Sequence, residues 1–154
     1  MANRYVGLSD SRDRIAAAYR RRYRGRSAVD LVSEVAPAEA DREAFRGAGR
    51  ALVEAIVRFV DADVDDERAT AEAGAQAATV DLAHRLADQR VDVPPALEAF
   101  IAARQPVLAE IASIGRRRNL TGSEVLDLYA RATVLLDRLV VTFATAVSDR
   151  SDAR

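Results

Sequence analysis

Apolar residues recur at three- and four-residue steps along most of this chain, and no stretch alternates with period two. Such steps line up side chains on one face of a helix, so the pattern predicts an all-α fold. The longest stretch runs from Leu120 to Asp149, with no Pro and, after Gly122, no further Gly. Thr121 and Glu124 stand in capping-box spacing: the Thr hydroxyl accepts from the amide three residues on, and the Glu carboxylate reaches back to the Thr amide. Leu120 and Val125 flank the cap as a hydrophobic staple. One apolar row on this helix is Val125, Leu128, Tyr129, Ala132, Leu136, Leu139, Phe143 and Ala146; a second is Leu126, Val134, Leu135, Val141, Ala144 and Val147. A helix apolar on two sides must be covered on two sides. It is therefore either the central core helix or a core helix that also meets a partner subunit.

The earlier chain reads as a series of shorter helices. Ser9 or Ser11 caps a first helix, from about Asp10 to Arg24, with Ile15, Tyr19 and Tyr23 on one face. Arg20, Arg21, Arg22, Arg24 and Arg26 crowd its end, where positive charge complements the helix dipole or offers an anion patch. Gly25 ends it, Ser27 caps a short helix from Ala28 to Val35, and Pro37 suits an early position of the next. That helix carries Phe45, Ala48, Leu52, Ile56, Phe59 and Val60; Gly47 and Gly49 weaken it unless another helix packs closely there. A helix from about Asp66 to Gln89 has one row at Ala73, Ala77, Val80, His84 and Ala87 and another at Ala75, Ala78, Leu82 and Leu86. After Val93-Pro94-Pro95, a helix continues to Ser113 or Ile114 with a kink near residues 102–106, because Pro106 lies inside it. Arg116 to Asn119 turn the chain into the long helix. The expected architecture is a single domain over 1–154, a bundle of five to six helices ending in two long antiparallel ones. Residues 1–8 form a flexible or docking arm, and 150–154 are frayed.

Composition narrows the chemistry. The chain has 154 residues and a formal net charge of −1, a balance that argues against nucleic acid as a direct partner. There is no cysteine, so disulfides, thiolate metal sites and cysteine nucleophiles are excluded. Every basic side chain other than the one histidine is Arg, which excludes lysine Schiff-base chemistry and a P-loop lysine. No signal peptide and no run of ~18 uncharged apolar residues is present, so no membrane association and a cytoplasmic location are expected.

Two constellations invite a ligand. Asp61, Asp63, Asp65 and Glu72 fall at positions one, three, five and twelve of a calcium loop. Asp66 stands where the sharp turn needs Gly, and Arg68 where an apolar residue is usual, so acids at a helix N-terminus explain the run better. His84, the only histidine, lies on an apolar row and is a candidate haem ligand; a buried imidazole bonded to a neighbour is the plainer reading. Neither a nucleophile–base set nor a Gly-rich phosphate loop is found, so the chain is expected to be no enzyme and to bind no cofactor. On these residues the dimer interface is expected at Leu126, Val134, Val141 and Ala144.

The order of helices looks like that of a globin at its end. The block Ala83-His84-Arg85-Leu86-Ala87-Asp88-Gln89-Arg90-Val91-Asp92-Val93, followed by Ala96-Leu97-Glu98-Ala99-Phe100 and Arg104, resembles the RsbR-type N-terminal sensor domain, as does the terminal long helix. The resemblance covers about Ser27 to Asp149. It implies a globin-like, non-haem, all-α sensor domain acting as a homodimer in stressosome-type regulation of the bacterial stress response or ahead of transcription regulators. It further implies an output partner, such as an anti-sigma-antagonist (STAS) module, a kinase or another regulatory protein. No STAS module follows before Arg154, so the expectation is a stand-alone sensor or a fragment of a longer regulator. The competing expectation is a globin-type haem or small-ligand binder using His84.

Overall fold

A computed structural model describes residues 7–23 and 39–154. The described residues are helical and turn, with no strand. A 3-10 turn, Ser9–Ser11, leads into α1 (Arg12–Tyr23). Then come α2 (Glu39–Asp61), α3 (Asp65–Asp88), α4 (Val93–Ala102), α5 (Gln105–Arg117) and α6 (Gly122–Asp152). The expected short helix from Ala28 to Val35, its Ser27 cap, Gly25 and Pro37 lie outside the described residues.

Helix α6 is the axis of the fold. It packs against α2, α3, α4 and α5, most extensively against α3. Its inner side joins two apolar clusters. The larger gathers Leu8, Ile15, Ile56, Val60, Val107, Ile111 and Ile114 around Leu128, Ala132, Leu135 and Leu139. The smaller gathers Phe45, Ala83, Leu86, Val91 and Ala96 around Phe143 and Val147. The Phe100 and Phe143 rings stack with centroids 4.3 Å apart and planes 11° from parallel. At ~1.5 Å per residue α6 is about 46 Å long, enough to bridge both clusters.

Local chemistry sets the ends of α6. The capping box forms as the spacing predicts: the Glu124 amide donates to the Thr121 hydroxyl at 3.3 Å, and the Thr121 amide donates to the Glu124 carboxylate at 2.7 Å. Leu120 and Val125 both pack onto the larger cluster. The preceding turn is tight. Asn119 takes a left-handed φ of 48°, and the Leu120 amide donates to the Gly115 carbonyl at 3.1 Å, closing α5 with a Schellman motif. A Cβ on Gly115 would stand 2.6 Å from a Val125 methyl, so only Gly lets the α6 entry lie this close. The same motif ends α3, with Arg90 at φ 60° and the Val91 amide on the Leu86 carbonyl at 3.1 Å. At its far end α6 continues to Asp152, where fraying was expected, and Arg150 holds Asp88 at 2.9 Å.

Several sequence expectations are corrected. The segment around Pro106 is broken, not kinked: α4 stops at Ala102 and α5 restarts at Gln105. Pro106 lacks the amide that would continue the ladder. The Tyr19 hydroxyl of α1 donates to the Ala103 carbonyl, giving the broken turn a partner outside the helix. The start of the first helix is held by Asp61, whose carboxylate accepts from the Leu8 and Ser9 amides, while Ser11 is buried. Leu8 is fully buried, so the arm is docked at this point. Among the described residues Gly47 and Gly49 face no closely packed helix; a Cβ on Gly49 would meet nothing within 4 Å. On α3 the buried row is Ala71, Ala75, Thr79, Ala83 and Leu86, with Ala73 and Ala77 exposed. The polar Thr79 in that row hid it from the hydrophobic pattern.

Candidate functional site

Four of the six large apolar side chains exposed among the described residues lie on α6: Leu126 at 69%, Tyr129 at 44%, Val134 at 48% and Val141 at 66%. The helix that carries the centre of the core therefore also carries most of the large apolar side chains exposed among the described residues. The first expected row is buried at Leu128, Ala132, Leu136, Leu139, Phe143 and Ala146, but Tyr129 is turned outward. The second row divides. Leu135 and Val147 are fully buried, whereas Leu126, Val134 and Val141 are open and Ala144 is half-buried. The residues expected at an interface thus share the outer side of the helix. Ala130, which joined neither row in the sequence, is exposed between Leu126 and Val134.

The rotation of α6 that leaves this face open is held by polar ties along both flanks. Arg138 pairs with Glu72 of α3 at 2.8 Å. Arg131 pairs with Asp127 at 2.9 Å and donates to the Val60 carbonyl at the end of α2. From the other flank Arg104, between α4 and α5, reaches Asp137 within the open face at 3.1 Å. Such partly exposed pairs contribute little each to stability. They matter as locators: Arg138–Glu72, Arg104–Asp137 and the Arg131 bond to Val60 all reach other elements, so rotating α6 would strain the three together.

The candidate calcium ligands do not converge. Asp61 ends α2 and is occupied by the Leu8 and Ser9 amides at 2.6 and 2.8 Å. Asp65 already begins α3 and pairs with Arg68 at 3.2 Å. Glu72 lies on α3, held by Arg138. Only Ala62, Asp63 and Val64 remain between the helices, too few to wrap a cation with the twelve-residue geometry. Among the described residues no three His, Cys, Asp or Glu side chains gather as a metal site. His84 is half-buried on α3, one turn before Asp88.

Two shallow clefts stand out among the described residues. One, about 440 Å³, lies between α1 and α5 and is lined by Asp13, Arg14, Arg21, Glu110, Ser113 and Arg117. Its buried carboxylate, Glu110, is held by Arg117, and its charges are mixed in sign. Arg20 and Arg21 of the expected anion patch are exposed, and the rest of that patch falls outside the side chains described. The other cleft, about 760 Å³, is floored by the small residues Ala51, Ala55, Ala71 and Gly74 between α2 and α3. In the first cleft the Arg117 guanidinium donates to both the Ser113 hydroxyl and the Glu110 carboxylate. No helix among the described residues is long and apolar enough to cross a membrane.

Comparison with known family models, curated proteins and solved structures gave no match.

Proposed function

We propose that this chain is a non-catalytic sensory or protein-interaction domain that works as a helical homodimer through the outer face of α6. The observation that carries the reading is the open apolar set Leu126, Val134 and Val141 on the helix that also organises the core. Burying a Leu or Val side chain yields ~1.5–3 kcal/mol, so covering three on each of two subunits contributes several kcal/mol, the scale of the cost of association. A two-fold contact uses the same patch twice, so one face suffices. A core helix that is also an interface helix can transmit a change in packing from one to the other.

The setting we assign is the cytoplasm, in bacterial stress-response or transcriptional signalling of the RsbR type. The output partner is a STAS module, a kinase or another regulatory protein. This rests on the likeness of residues 83–100, Arg104 and the terminal helix to that family. A globin-like arrangement, with α5 antiparallel to α6 across the Arg118–Asn119 turn, belongs to the same reading; the break at Ala103 and Arg104 is this chain's departure from two long paired helices. Support for a non-catalytic role comes from the acids, many of which are committed to Arg partners, as in Glu72–Arg138, Glu110–Arg117 and Asp88–Arg150.

Light scattering at tens of micromolar tests the reading. Wild type should have the mass of a dimer, and Val134→Glu/Val141→Glu should be a monomer with unchanged helical circular dichroism. A monomeric wild type, or a double variant that stays dimeric, overturns it.

A further inference from the structure

The open face has a direction built into it. Its centre line is Leu126, Ala130, Val134, Asp137, Val141 and Ala144, at steps of three or four residues, the spacing of a helix–helix seam. One charge stands in this line: Asp137, 66% exposed and flanked by Val134 and Val141. Any two-fold partner must cover the valines without placing one Asp137 on the other.

From this we infer that two copies of the chain pair α6 against α6 in antiparallel orientation, with the two-fold axis at Val134. The inference rests on the homodimer reading above and adds orientation and register. A parallel pair sets each residue against its own copy, so the two Asp137 carboxylates meet inside the seam, where like charges destabilise the contact. An antiparallel pair centred on Asp137 has the same fault. Centring on Ala130 sends Val141 past the start of the partner's helix at Gly122, and centring on Val141 carries Leu126 past the end of the partner's helix at Asp152. With the axis at Val134, Leu126 of each copy lies within one residue of the level of Val141 of the other, and Val134 meets its own copy. Asp137 then faces the small Ala130, which leaves room for its pairing with Arg104. Leu126, Val134 and Val141 are all covered, and each carboxylate meets a neutral residue.

The absence of cysteine makes a direct test available on the whole chain. A disulfide needs Cα atoms within about 7 Å. In the proposed register two copies of residue 126 are about 24 Å apart along the seam, from ~1.5 Å per residue, while residues 126 and 141 are nearly level. Val134→Cys should therefore form a covalent dimer under mild oxidation. Leu126→Cys and Val141→Cys should each fail alone and should cross-link when mixed, exchanged under reducing conditions and then oxidised. Circular dichroism and light scattering on the reduced variants establish that each is folded and dimeric. If Leu126→Cys cross-links to itself as readily as Val134→Cys, the pair is parallel and the register is wrong while the dimer stands. If wild type is dimeric and none of these positions cross-links, α6 is not the seam. If wild type is monomeric, the homodimer reading itself has failed.

Discussion

The Asp61 carboxylate spans 53 residues of sequence to accept the Leu8 amide at 2.6 Å, and its second oxygen takes the Ser9 amide at 2.8 Å. The last residue of α2 thus supplies the acceptor for amides at the start of the first turn, a task usually done by a local Ser, Thr or Asp. Hydrogen bonds to a charged group contribute about 1.5–3 kcal/mol each at most. Asp61→Ala should lower stability by roughly 2–3 kcal/mol in urea unfolding, and Asp61→Asn, which keeps one acceptor oxygen, by about half as much. Millimolar calcium should leave the melting temperature of wild type unmoved, because this carboxylate is already engaged. A calcium-dependent rise that disappears in Asp61→Ala would restore the metal-loop reading.

Glycines 49 and 115 should respond to alanine in opposite directions. At Gly115 the new Cβ would be 2.6 Å from Val125, in the contact that seats α6 on α5. Overpacking of this kind costs about 1–3 kcal/mol. At Gly49 the space is open, so Gly49→Ala should stabilise α2 by roughly 0.5–1 kcal/mol through helix propensity. Thermal melts decide both. Val125→Ala should relieve much of the Gly115→Ala penalty, a coupling that a double-mutant cycle reads directly.

Thr79 is fully buried on the core side of α3, and its hydroxyl has no hydrogen-bond partner. Val has nearly the same shape without the polar atom. Removing an unsatisfied buried group of this kind gains about 1 kcal/mol. Thr79→Val should raise the urea midpoint, and Thr79→Ser, which loses the methyl and keeps the hydroxyl, should lower it. A Thr79→Val variant less stable than wild type would mean that the hydroxyl makes a bond in solution.

Arg150 near the end of α6 donates to both oxygens of Asp88 at the end of α3, at 2.9 and 3.2 Å. That hydrogen bonding, with the Arg150 charge, holds the Asp88 carboxyl below its ordinary value and raises the Arg150 guanidinium. The Arg50 and Arg46 guanidiniums lower Glu43 in the same way. A carboxylate depressed in the folded state contributes its full share of stability above its unfolded value, near pH 4. That share is lost as pH falls through the lower folded value. Carbon-13 titration should show Asp88 ionising at lower pH than a free aspartate, and Arg150→Gln should bring it back. The pair is exposed, so the change in melting temperature at pH 7 should be small.

Sequence alone determined what depends on neighbours a few residues apart. The helical class follows from apolar spacing, and the Thr121–Glu124 cap forms because both partners lie within one turn. The α3 stretch from Asp65 to Asp88 was legible within a residue, since its ends have their own turn chemistry. Tertiary structure decided what depends on contacts between distant elements. Pro106 alone forbids one amide bond, which a kink or a break can accommodate; Tyr19, from a different helix, supplies a hydroxyl to the Ala103 carbonyl at the break. The Leu8 and Ser9 amides find their acceptor 53 and 52 residues away, beyond any local motif. Both apolar rows of α6 could be drawn from the sequence. Which residues of the second row stay open was set by how α3, α4 and α5 close around the helix. They bury Leu135 and Val147 and leave Leu126, Val134 and Val141 outside, because burial is a property of the neighbours a side chain meets and not of its own hydrophobicity.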